Sequence, residues 1–325
     1  MNYVGKVLVS LVLASSWVKG FSPDYKPFRQ VATGKSLFSA TVSPDLKTVL
    51  MASVDGKANL CCTETGRVLQ AFAGHEGNLA SVGLNSDGKL SLIGSDDYQT
   101  VRLWNREVIE EIHTFIHHRA VTAVAFCPDE ASLLTGFAEG MIHLWDKETL
   151  QVLQMFISDG PVYKVLCSAN GKYIADLSSP IGGDGKAHVW DRATGRVLIE
   201  FGNEGGIDAV AFSPDSKSVL TGSLDGEVHL WNIETGKMVQ TFKAHSKEVF
   251  ALSFNSDGAY VFAGSVNGTI TIWETATGRE VKVFERHKHS IIAIAVSSDA
   301  KTMLSVSQDG MVISWALEGT PVPQE

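Results

Sequence analysis

Serine, histidine and aspartate, the three side chains of a hydrolytic triad, recur together along the chain. The last such set is His287, Ser307 and Asp309. Because a triad needs one serine and one histidine beside one pocket, a single set would indicate nucleophilic catalysis. Repetition of the set instead favours a hydrogen-bonded network that stabilises buried polar groups in each repeat.

The cysteines show no pattern of a metal or redox site. None of the spacings among the four is Cys-x-x-Cys, and four are too few for a disulfide framework in 325 residues. We therefore expect small buried hydrophobic side chains at these positions. The sequence has no Walker loop, His-Glu-x-x-His or Gly-x-Ser-x-Gly. The cysteines are Cys61, Cys62, Cys127 and Cys167.

The composition is that of a globular, acidic chain. It is 44% hydrophobic and 19% charged, with 27 Lys and Arg against 36 Asp and Glu, which gives a net charge of −9. This apolar content suffices for a core in one large domain or two ordinary ones. Since no basic run could neutralise a phosphate backbone, the charge pattern argues against nucleic acid as the main partner.

The first twenty residues are typical of a secretory signal peptide. A lysine precedes the apolar run at 7–14, and Val18 and Gly20 stand at the −3 and −1 positions of a cut before Phe21. The run is shorter than the roughly 20 residues that span a bilayer. We expect removal of 1–20, export to a periplasm or the medium, and no membrane span afterwards. The alternative is a buried N-terminal strand in a cytoplasmic protein.

Tryptophans mark an internal repeat. Around each of them apolar and polar residues alternate, as in Val228-His-Leu-Trp-Asn, which predicts a strand. Cys61 lies 43 residues before the first of them and extends the series to seven units. The tryptophans are Trp104, Trp145, Trp190, Trp231, Trp273 and Trp315, separated by 41, 45, 41, 42 and 42 residues.

Turn signals divide each unit into four short strands. In the last unit Asp309-Gly310 lies six residues before the tryptophan, and such pairs supply the positive φ angles of two-residue hairpin turns. Clusters such as Ser213-Pro-Asp and pairs such as Thr235-Gly236 mark two further turns. The predicted units are about 34–74, 75–116, 117–157, 158–202, 203–244, 245–286 and 287–318.

These features resemble a WD-repeat β-propeller over roughly residues 28–318, and Gly74-His75 matches the Gly-His element of that family. The resemblance implies an all-β, seven-bladed propeller of four-stranded antiparallel blades, in a single domain at 21–325. The tail after the seventh unit contains two prolines, which disfavour another strand there. We expect residues 28–33 to pair with the seventh blade and close the ring.

The resemblance also implies a structural role for the recurring polar residues. In this family a histidine before the first strand, a serine or threonine on the second, an acid or amide in the turn and a tryptophan on the third form a hydrogen-bonded network. We expect it in units two, six and seven, at His75, Ser95, Asp97, Trp104, His245, Ser265, Asn267, Trp273, His287, Ser307, Asp309 and Trp315.

His143, His188 and His229 each stand two residues before a tryptophan, which raises the possibility of a metal site. On three different blades, however, their imidazoles would lie roughly 12–18 Å apart, whereas zinc needs each nitrogen at about 2 Å. We expect polar side chains on outer strands and no metal.

Propellers of this family usually bind partners on the rim of the narrow end, where the chain enters each first strand and turns from the second strand to the third. Large apolar side chains there would suit peptide side chains, although some could pack between blades instead. Unit four has four extra residues, placed by alignment within 178–183 on the same face. The candidate partner-binding residues are Phe38, Val54, Tyr163, Asp208, Leu224, Phe250, Val266 and Ile292.

These observations predict a non-enzymatic scaffold, exported from the cytoplasm, that presents its rim to a protein or peptide and carries no cofactor. One alternative is a propeller enzyme or cofactor-binding ring, which would need titratable residues clustered at the mouth of the central channel. Another is a cytoplasmic scaffold that keeps its N-terminus. The oligomeric state and the identity of the partner stay open.

Overall fold

The computed structural model describes residues 27–32, 36–53, 55–72, 78–95, 99–179, 184–202, 206–243 and 248–317. Within these ranges the chain forms 28 strands, arranged as seven four-stranded antiparallel sheets. The expected all-β, seven-bladed propeller is therefore confirmed. Among the described residues no helix is long and apolar enough to cross a membrane.

Six blades are built from four consecutive strands each, and the seventh from three strands and β1 (Pro27–Ala32). Blade 1 contains β2 (Leu37–Val42), β3 (Thr48–Ser53), β4 (Ala58–Cys62) and β5 (Val68–Phe72), and blade 2 contains β6 (Leu79–Leu84), β7 (Leu90–Ser95), β8 (Thr100–Asn105) and β9 (Glu110–Ile116). Blade 3 contains β10 (Val121–Phe126), β11 (Ser132–Phe137), β12 (Met141–Asp146) and β13 (Val152–Ile157), and blade 4 contains β14 (Val162–Cys167), β15 (Tyr173–Ser178), β16 (Lys186–Asp191) and β17 (Val197–Phe201). Blade 5 contains β18 (Ile207–Phe212), β19 (Ser218–Ser223), β20 (Glu227–Asn232) and β21 (Met238–Lys243), and blade 6 contains β22 (Val249–Phe254), β23 (Tyr260–Ser265), β24 (Thr269–Glu274) and β25 (Glu280–Glu285). Blade 7 contains β26 (Ile291–Val296), β27 (Thr302–Ser307) and β28 (Met311–Ala316).

The first strands of the blades surround the centre of the ring. They contact one another around most of the circle, from β2 through β6 and β10 to β14, and from β18 through β22 and β26 back to β2. Between blades 4 and 5 the main contact runs from β15 to β18. The fold therefore brings the equivalent ends of seven similar strands to each face of the central channel.

The core consists of seven hydrophobic clusters, one between each pair of neighbouring blades. Between blades 6 and 7, for example, Phe262 and Ile272 pack with Ile294 and Trp315. Each blade thus buries its faces against its neighbours, so no blade is stable by itself.

The chain closes the ring with its first described strand. β1 pairs antiparallel with β28, where Val31 lies opposite Val312, and it forms the outermost strand of blade 7. The prediction that this segment completes the seventh blade is confirmed. The predicted signal segment, residues 1–20, lies outside the described residues.

The turn pairs predicted from the sequence have the backbone that they need. Gly268 and Gly310 have φ angles of 85° and 79°, in the left-handed region that favours glycine. At Gly268 a Cβ atom would collide with the carbonyl group of His287. This turn therefore tolerates no side chain, and it holds the connection into blade 7 close to the second-to-third-strand turn of blade 6.

Candidate functional site

The predicted partner-binding residues lie on one face of the ring, at which each first strand begins and each second strand turns into the third; we call it the entry face. Phe38, Tyr163 and Phe250 occupy the second position of β2, β14 and β22. Leu224 and Val266 follow β19 and β23 directly. All five side chains are partly exposed, and four of them come from the consecutive blades 4, 5 and 6.

Two of the predicted contact residues are buried. Ile292 is 1% exposed and packs with Leu37 in the cluster between blades 7 and 1. Asp208 is 4% exposed. In blades 5 and 7 the second position of the first strand is therefore covered by the surrounding structure, although Asp208 lines a small cavity beside Tyr163, and partner binding by these two residues stays a prediction. Val54 and most of the extra segment of blade 4, residues 180–183, lie outside the described residues.

The described cavity on the entry face is small. At the boundary of blades 4 and 5, Tyr163, Ser179 and Ile207 help to line a cavity of about 10 Å³, which is room for about one water molecule. This part of the face presents a surface rather than a pocket for a small molecule.

A larger cavity opens at the opposite face, where the first strands end and turn into the second strands; we call it the exit face. Its volume is about 90 Å³, and the last residues of several first strands, including Phe126, Phe212 and Phe254, line it. No charged side chain is among the residues that line it. The acid, base or cationic groups that the enzyme alternative would need are therefore missing from this lining.

Two cysteines meet at this cavity. Cys127 and Cys167 form a disulfide, with their Cα atoms 5.3 Å apart, between the end of β10 and the end of β14. The expectation of four separate hydrophobic cysteines is thus wrong for this pair. The available signal was their separation of 40 residues, close to one repeat, because residues one repeat apart face each other across neighbouring blades.

The other two cysteines are free thiols. Cys61 is buried between blades 7 and 1, as expected, and burial raises the pKa of its thiol to about 11. Cys62, beside it in the sequence, is partly exposed. Neither cysteine of this pair lines the cavity at the exit face.

Blade 7 contains the polar network in its simplest form. The indole Nε1 of Trp315 donates to Ser305 Oγ at 2.8 Å, and His287 Nε2 lies 2.7 Å from the same oxygen. His287 Nδ1 lies 3.6 Å from a carboxylate oxygen of Asp309. The indole, imidazole and hydroxyl groups are buried together, so the network has a structural role.

The serine of that network is not the predicted one. Ser307 donates to the carbonyl oxygen of His289 at 3.0 Å. Trp315 lies opposite Met303 in the sheet, so its indole reaches the diagonal neighbour Ser305, and Ser307 is one further step along the strand.

In blades 2 and 6 the predicted serines also stabilise turns and connections. Ser95 donates to the carbonyl oxygen of Asn78 at 3.0 Å, and Ser265 donates to the side chain of Asn267. The sites that match Ser305 hold Ile93 and Ala263, opposite the segments that carry Trp104 and Trp273. The remaining predicted members, His75, Asp97 and His245, lie outside the described residues.

Blades 3 and 5 show the signal that the sequence interpretation missed. Trp145 donates to Thr135 at 2.9 Å and Trp231 to Thr221 at 2.8 Å. In both blades, as in blade 7, the acceptor stands ten residues before the tryptophan.

Blade 4 replaces the hydroxyl with a carboxylate. Trp190 Nε1 donates to Asp176 Oδ1 at 2.6 Å, Ser158 Oγ donates to Asp176 Oδ2 at 2.7 Å, and His188 Nδ1 lies 3.3 Å from Oδ2. Asp176 is fully buried, and His188 is only 2% exposed. Burial alone would lower the pKa of His188, but its hydrogen bond to Asp176 and the negative charge there outweigh burial, and the pKa is raised.

This serine, histidine and aspartate are not a catalytic triad. Ser158 Oγ lies 3.3 Å from His188 Nδ1, but it donates its proton to Asp176 at the shorter distance of 2.7 Å, so the carboxylate and not the imidazole is the acceptor. All three side chains are buried, which leaves no room for a substrate. His188 lies on β16, the third of the four strands of blade 4, and the role that the sequence did not reveal is that it balances a buried carboxylate.

One group of side chains has the composition of a metal site. Ligand atoms of Asp159, His188 and Glu200 lie within 4.8 Å of one another. The ammonium group of Lys186 lies 2.6 Å from both carboxylates, and these hydrogen bonds raise the pKa of Lys186. Since a cation already neutralises both acids, the group is an ion-pair network on the surface of blade 4.

Comparison with known proteins agrees with the fold and its repeats. The family described as "WD domain, G-beta repeat" matches residues 66–105, 109–146, 195–232, 236–274 and 278–316, together more than half of the chain. The chain belongs to the WD-repeat family. None of the five matched segments covers residues 147–194, which include most of blade 4 and its Asp176 network.

The similar proteins have varied names. Autophagy-related protein 16 of Arabidopsis thaliana is 24% identical over 66% of this chain and 42% of its own length. Apoptotic protease-activating factor 1 of Rattus norvegicus is 26% identical over 60% of this chain and 13% of its own length. A serine-threonine kinase receptor-associated protein of Bos taurus is 30% identical over 30% of this chain and 28% of its own. The chain thus spans less than half the length of each of these relatives.

Proposed function

We propose that this WD-repeat protein is a non-enzymatic scaffold that binds a protein or peptide on its entry face. The observation that carries the proposal is the set of partly exposed apolar side chains on blades 4, 5 and 6, namely Tyr163, Leu224, Phe250 and Val266. Apolar and aromatic anchors of this kind supply much of the affinity of protein interfaces. The small volume of the described cavity on this face, about 10 Å³, favours a macromolecular partner over a small ligand.

The similar proteins support this type of function. WD-repeat propellers typically act as interaction scaffolds, and one relative is named as a receptor-associated protein. The partners of those proteins are not transferred to this chain, because identity is low and the match covers a minor part of each relative.

The test uses a matched pair of variants. Affinity capture from the native host, read by mass spectrometry, identifies partners of the unchanged protein. A Leu224→Ala/Phe250→Ala variant should recover them about tenfold less, since loss of two anchors costs more than about 1.4 kcal/mol. The control, Leu153→Ala/Val239→Ala, removes exposed apolar side chains from the outer strands β13 and β21 and should recover them normally. Equal recovery by all three proteins would rule out the entry face.

We also propose that the protein is exported from the cytoplasm. The signal-like segment at 1–20 supports export, and so does the Cys127–Cys167 disulfide, because disulfides persist mainly in oxidising compartments. N-terminal sequencing of the protein from its host should start at Phe21. A protein that retains Met1 would favour the cytoplasmic alternative.

A further inference from the structure

The disulfide stands at a position that solvent can reach. Cys127 and Cys167 both line the exit-face cavity at the ends of neighbouring first strands. This cavity opens to solvent at the channel mouth. The cavity therefore provides a route to the sulfur atoms in the folded protein.

The two sulfur atoms differ in access. Cys127 is 1% exposed and belongs to the cluster between blades 3 and 4, whereas Cys167 packs against the same cluster but remains partly exposed. Thiol–disulfide exchange depends on which sulfur the incoming thiolate can reach. Attack is therefore directed to Cys167, and the buried Cys127 is the leaving thiolate.

The size of the cavity limits the reagent. A cavity of about 150 Å³ is known to hold benzene, and this one has a volume of about 90 Å³. A thiol with about four non-hydrogen atoms fits, whereas a tripeptide thiol has to remain outside.

The chemistry of the walls favours an uncharged reagent. Leu166, Phe126 and Phe212 form apolar parts of the cavity wall. Among the described residues that line the cavity, none has a charged side chain. On the rim, Asn85 Nδ2 donates to a carboxylate oxygen of Glu130 at 2.7 Å. The attacking thiolate itself carries one negative charge, and a reagent that also bears carboxylates would bring further negative charge toward Glu130 and into an apolar space, so a thiol with no other charged group is preferred.

We propose that Cys127–Cys167 is a reversible thiol–disulfide exchange site for a small uncharged thiol, reached through the exit-face cavity. The thiolate of the first thiol attacks Cys167 Sγ, the Cys127–Cys167 bond breaks, and its electron pair leaves on Cys127 Sγ, which takes a proton from water. A second thiolate then attacks the reagent sulfur of the mixed disulfide, the bond to Cys167 Sγ breaks, and its electron pair leaves on Cys167 Sγ, which takes a proton from water. The small disulfide is released and both cysteines are thiols. The small disulfide is the oxidant of the reverse reaction, so the exchange is balanced in both directions.

The exchange changes how two blades are connected. The disulfide is a covalent link between the first strands of blades 3 and 4, which also pack against each other. Reduction removes this link at the channel mouth while the apolar cluster between the blades remains.

The first experiment compares two thiols on the intact protein without denaturant. 2-Mercaptoethanol and glutathione are supplied at equal thiolate concentration, the reaction is quenched with iodoacetamide, and peptides are analysed by mass spectrometry. We expect Cys127 and Cys167 to be unlabelled at the start, a transient 2-mercaptoethanol adduct on Cys167, and reduction by glutathione at least about tenfold slower. Cys62, which is partly exposed, serves as the internal labelling reference.

The second experiment separates access through the cavity from global unfolding. Phe212→Ala widens the cavity mouth and should raise the glutathione rate at least about fivefold. Phe156→Ala removes the same side chain from the buried core between blades 3 and 4, away from the cavity, and should leave the rate unchanged.

Four results would overturn the proposal. They are labelling of Cys127 before any thiol is added, equal rates for the two thiols, reduction only in denaturant, and equal acceleration by the two phenylalanine variants.

Discussion

In blade 7 the buried indole of Trp315 donates to a serine hydroxyl, whereas in blade 4 the indole of Trp190 donates to the carboxylate of Asp176. In both blades the tryptophan lies on the third strand of a four-stranded sheet, although the connection into that strand is four residues longer in blade 4. What differs is the charge that is buried. In these two blades the indole N–H thus has an acceptor, which is a hydroxyl in blade 7 and a carboxylate in blade 4.

A buried carboxylate imposes further requirements that a hydroxyl does not. Its charge must be compensated and its remaining lone pairs must be filled, or burial costs several kcal/mol. Ser158 and His188 meet both needs in blade 4. In blade 7 the position two residues before the tryptophan, which His188 occupies in blade 4, holds Ile313. The change to Asp176 is thus accompanied by changes in the residues around it.

Blade 4 differs from its neighbours on its inner strand as well. Lys164 is buried and donates from Nζ to the carbonyl oxygen of Val210 in blade 5 at 3.1 Å, and burial lowers the pKa of its ammonium group to about 7. At the matching positions of blades 1 and 2, Ser39 and Ser81 accept a backbone N–H of the next blade. Each of these three blades thus has a hydrogen bond from its first strand to the next blade. The direction differs, because Lys164 donates to a backbone carbonyl group, whereas Ser39 and Ser81 accept from a backbone N–H group.

The largest expected effect comes from removing the acceptor of each network. Asp176→Ala leaves Trp190, Ser158 and His188 without their common partner and should lower the free energy of unfolding by about 3–5 kcal/mol. Ser305→Ala, the matched change in blade 7, leaves two neutral partners and should cost about 1–3 kcal/mol. Chemical denaturation of both variants measures the difference. If Ser305→Ala costs as much as Asp176→Ala, the buried charge is not what distinguishes the blades.

A smaller effect is expected from removing the indole donor. Trp190→Phe deletes a hydrogen bond to a charged acceptor and should cost about 1.5–3 kcal/mol, whereas Trp315→Phe deletes a bond to a neutral hydroxyl and should cost about 0.5–1.5 kcal/mol. The loss of ring volume is common to both variants, so it cancels in the comparison. Equal costs, measured by the same denaturation, would mean that packing of the ring outweighs the hydrogen bond in both blades.

The smallest effect is a difference in pH dependence. The pKa of His188 is raised in the folded protein, so its stabilising contribution is complete below about pH 6.5 and is lost as the pH rises through the folded pKa. Burial lowers the pKa of His287, and its effect outweighs that of the nearby Asp309. Protonation of His287 therefore destabilises the folded protein, and this cost disappears as the pH rises toward 6.5.

Two variants measure these opposite slopes. The stability lost in His188→Gln should be larger at pH 5.5 than at pH 8.5, and the stability lost in His287→Gln should be larger at pH 8.5. Urea denaturation at the two pH values gives both differences, and the other histidines cancel because each variant is compared with the unchanged protein. Parallel slopes for the two variants would contradict the assigned charge states.

The sequence predicted the features that depend on local chemistry and repetition. Tryptophan spacing and pairs such as Asp309-Gly310 indicate strands and turns, and the prolines after the last unit indicate that another segment must close blade 7. Features that depend on contact between blades were harder to predict. Whether the second position of a first strand is exposed, as Phe250 is in part, or covered, as Ile292 is, depends on the neighbouring blade.

The spacing of ten residues between acceptor and tryptophan does not predict the network of blade 4. The acceptor lies 14 residues before Trp190 rather than ten, because the four extra residues of that unit separate them. The Cys127–Cys167 pair was hidden because its members meet only when blades 3 and 4 stand side by side. The choice between Ser305 and Ser307 required the register of β27 against β28.

The pairing of β1 with β28 also sets the order of events during synthesis. Among the described strands β1 is synthesised first and β28 last, so the two members of this pair are separated by the synthesis of all the other strands. Until then the nascent chain has unpaired strand edges that can join another polypeptide. A chaperone that shields these edges therefore has to act until β28 has emerged, and a prematurely terminated product has no route to the native ring.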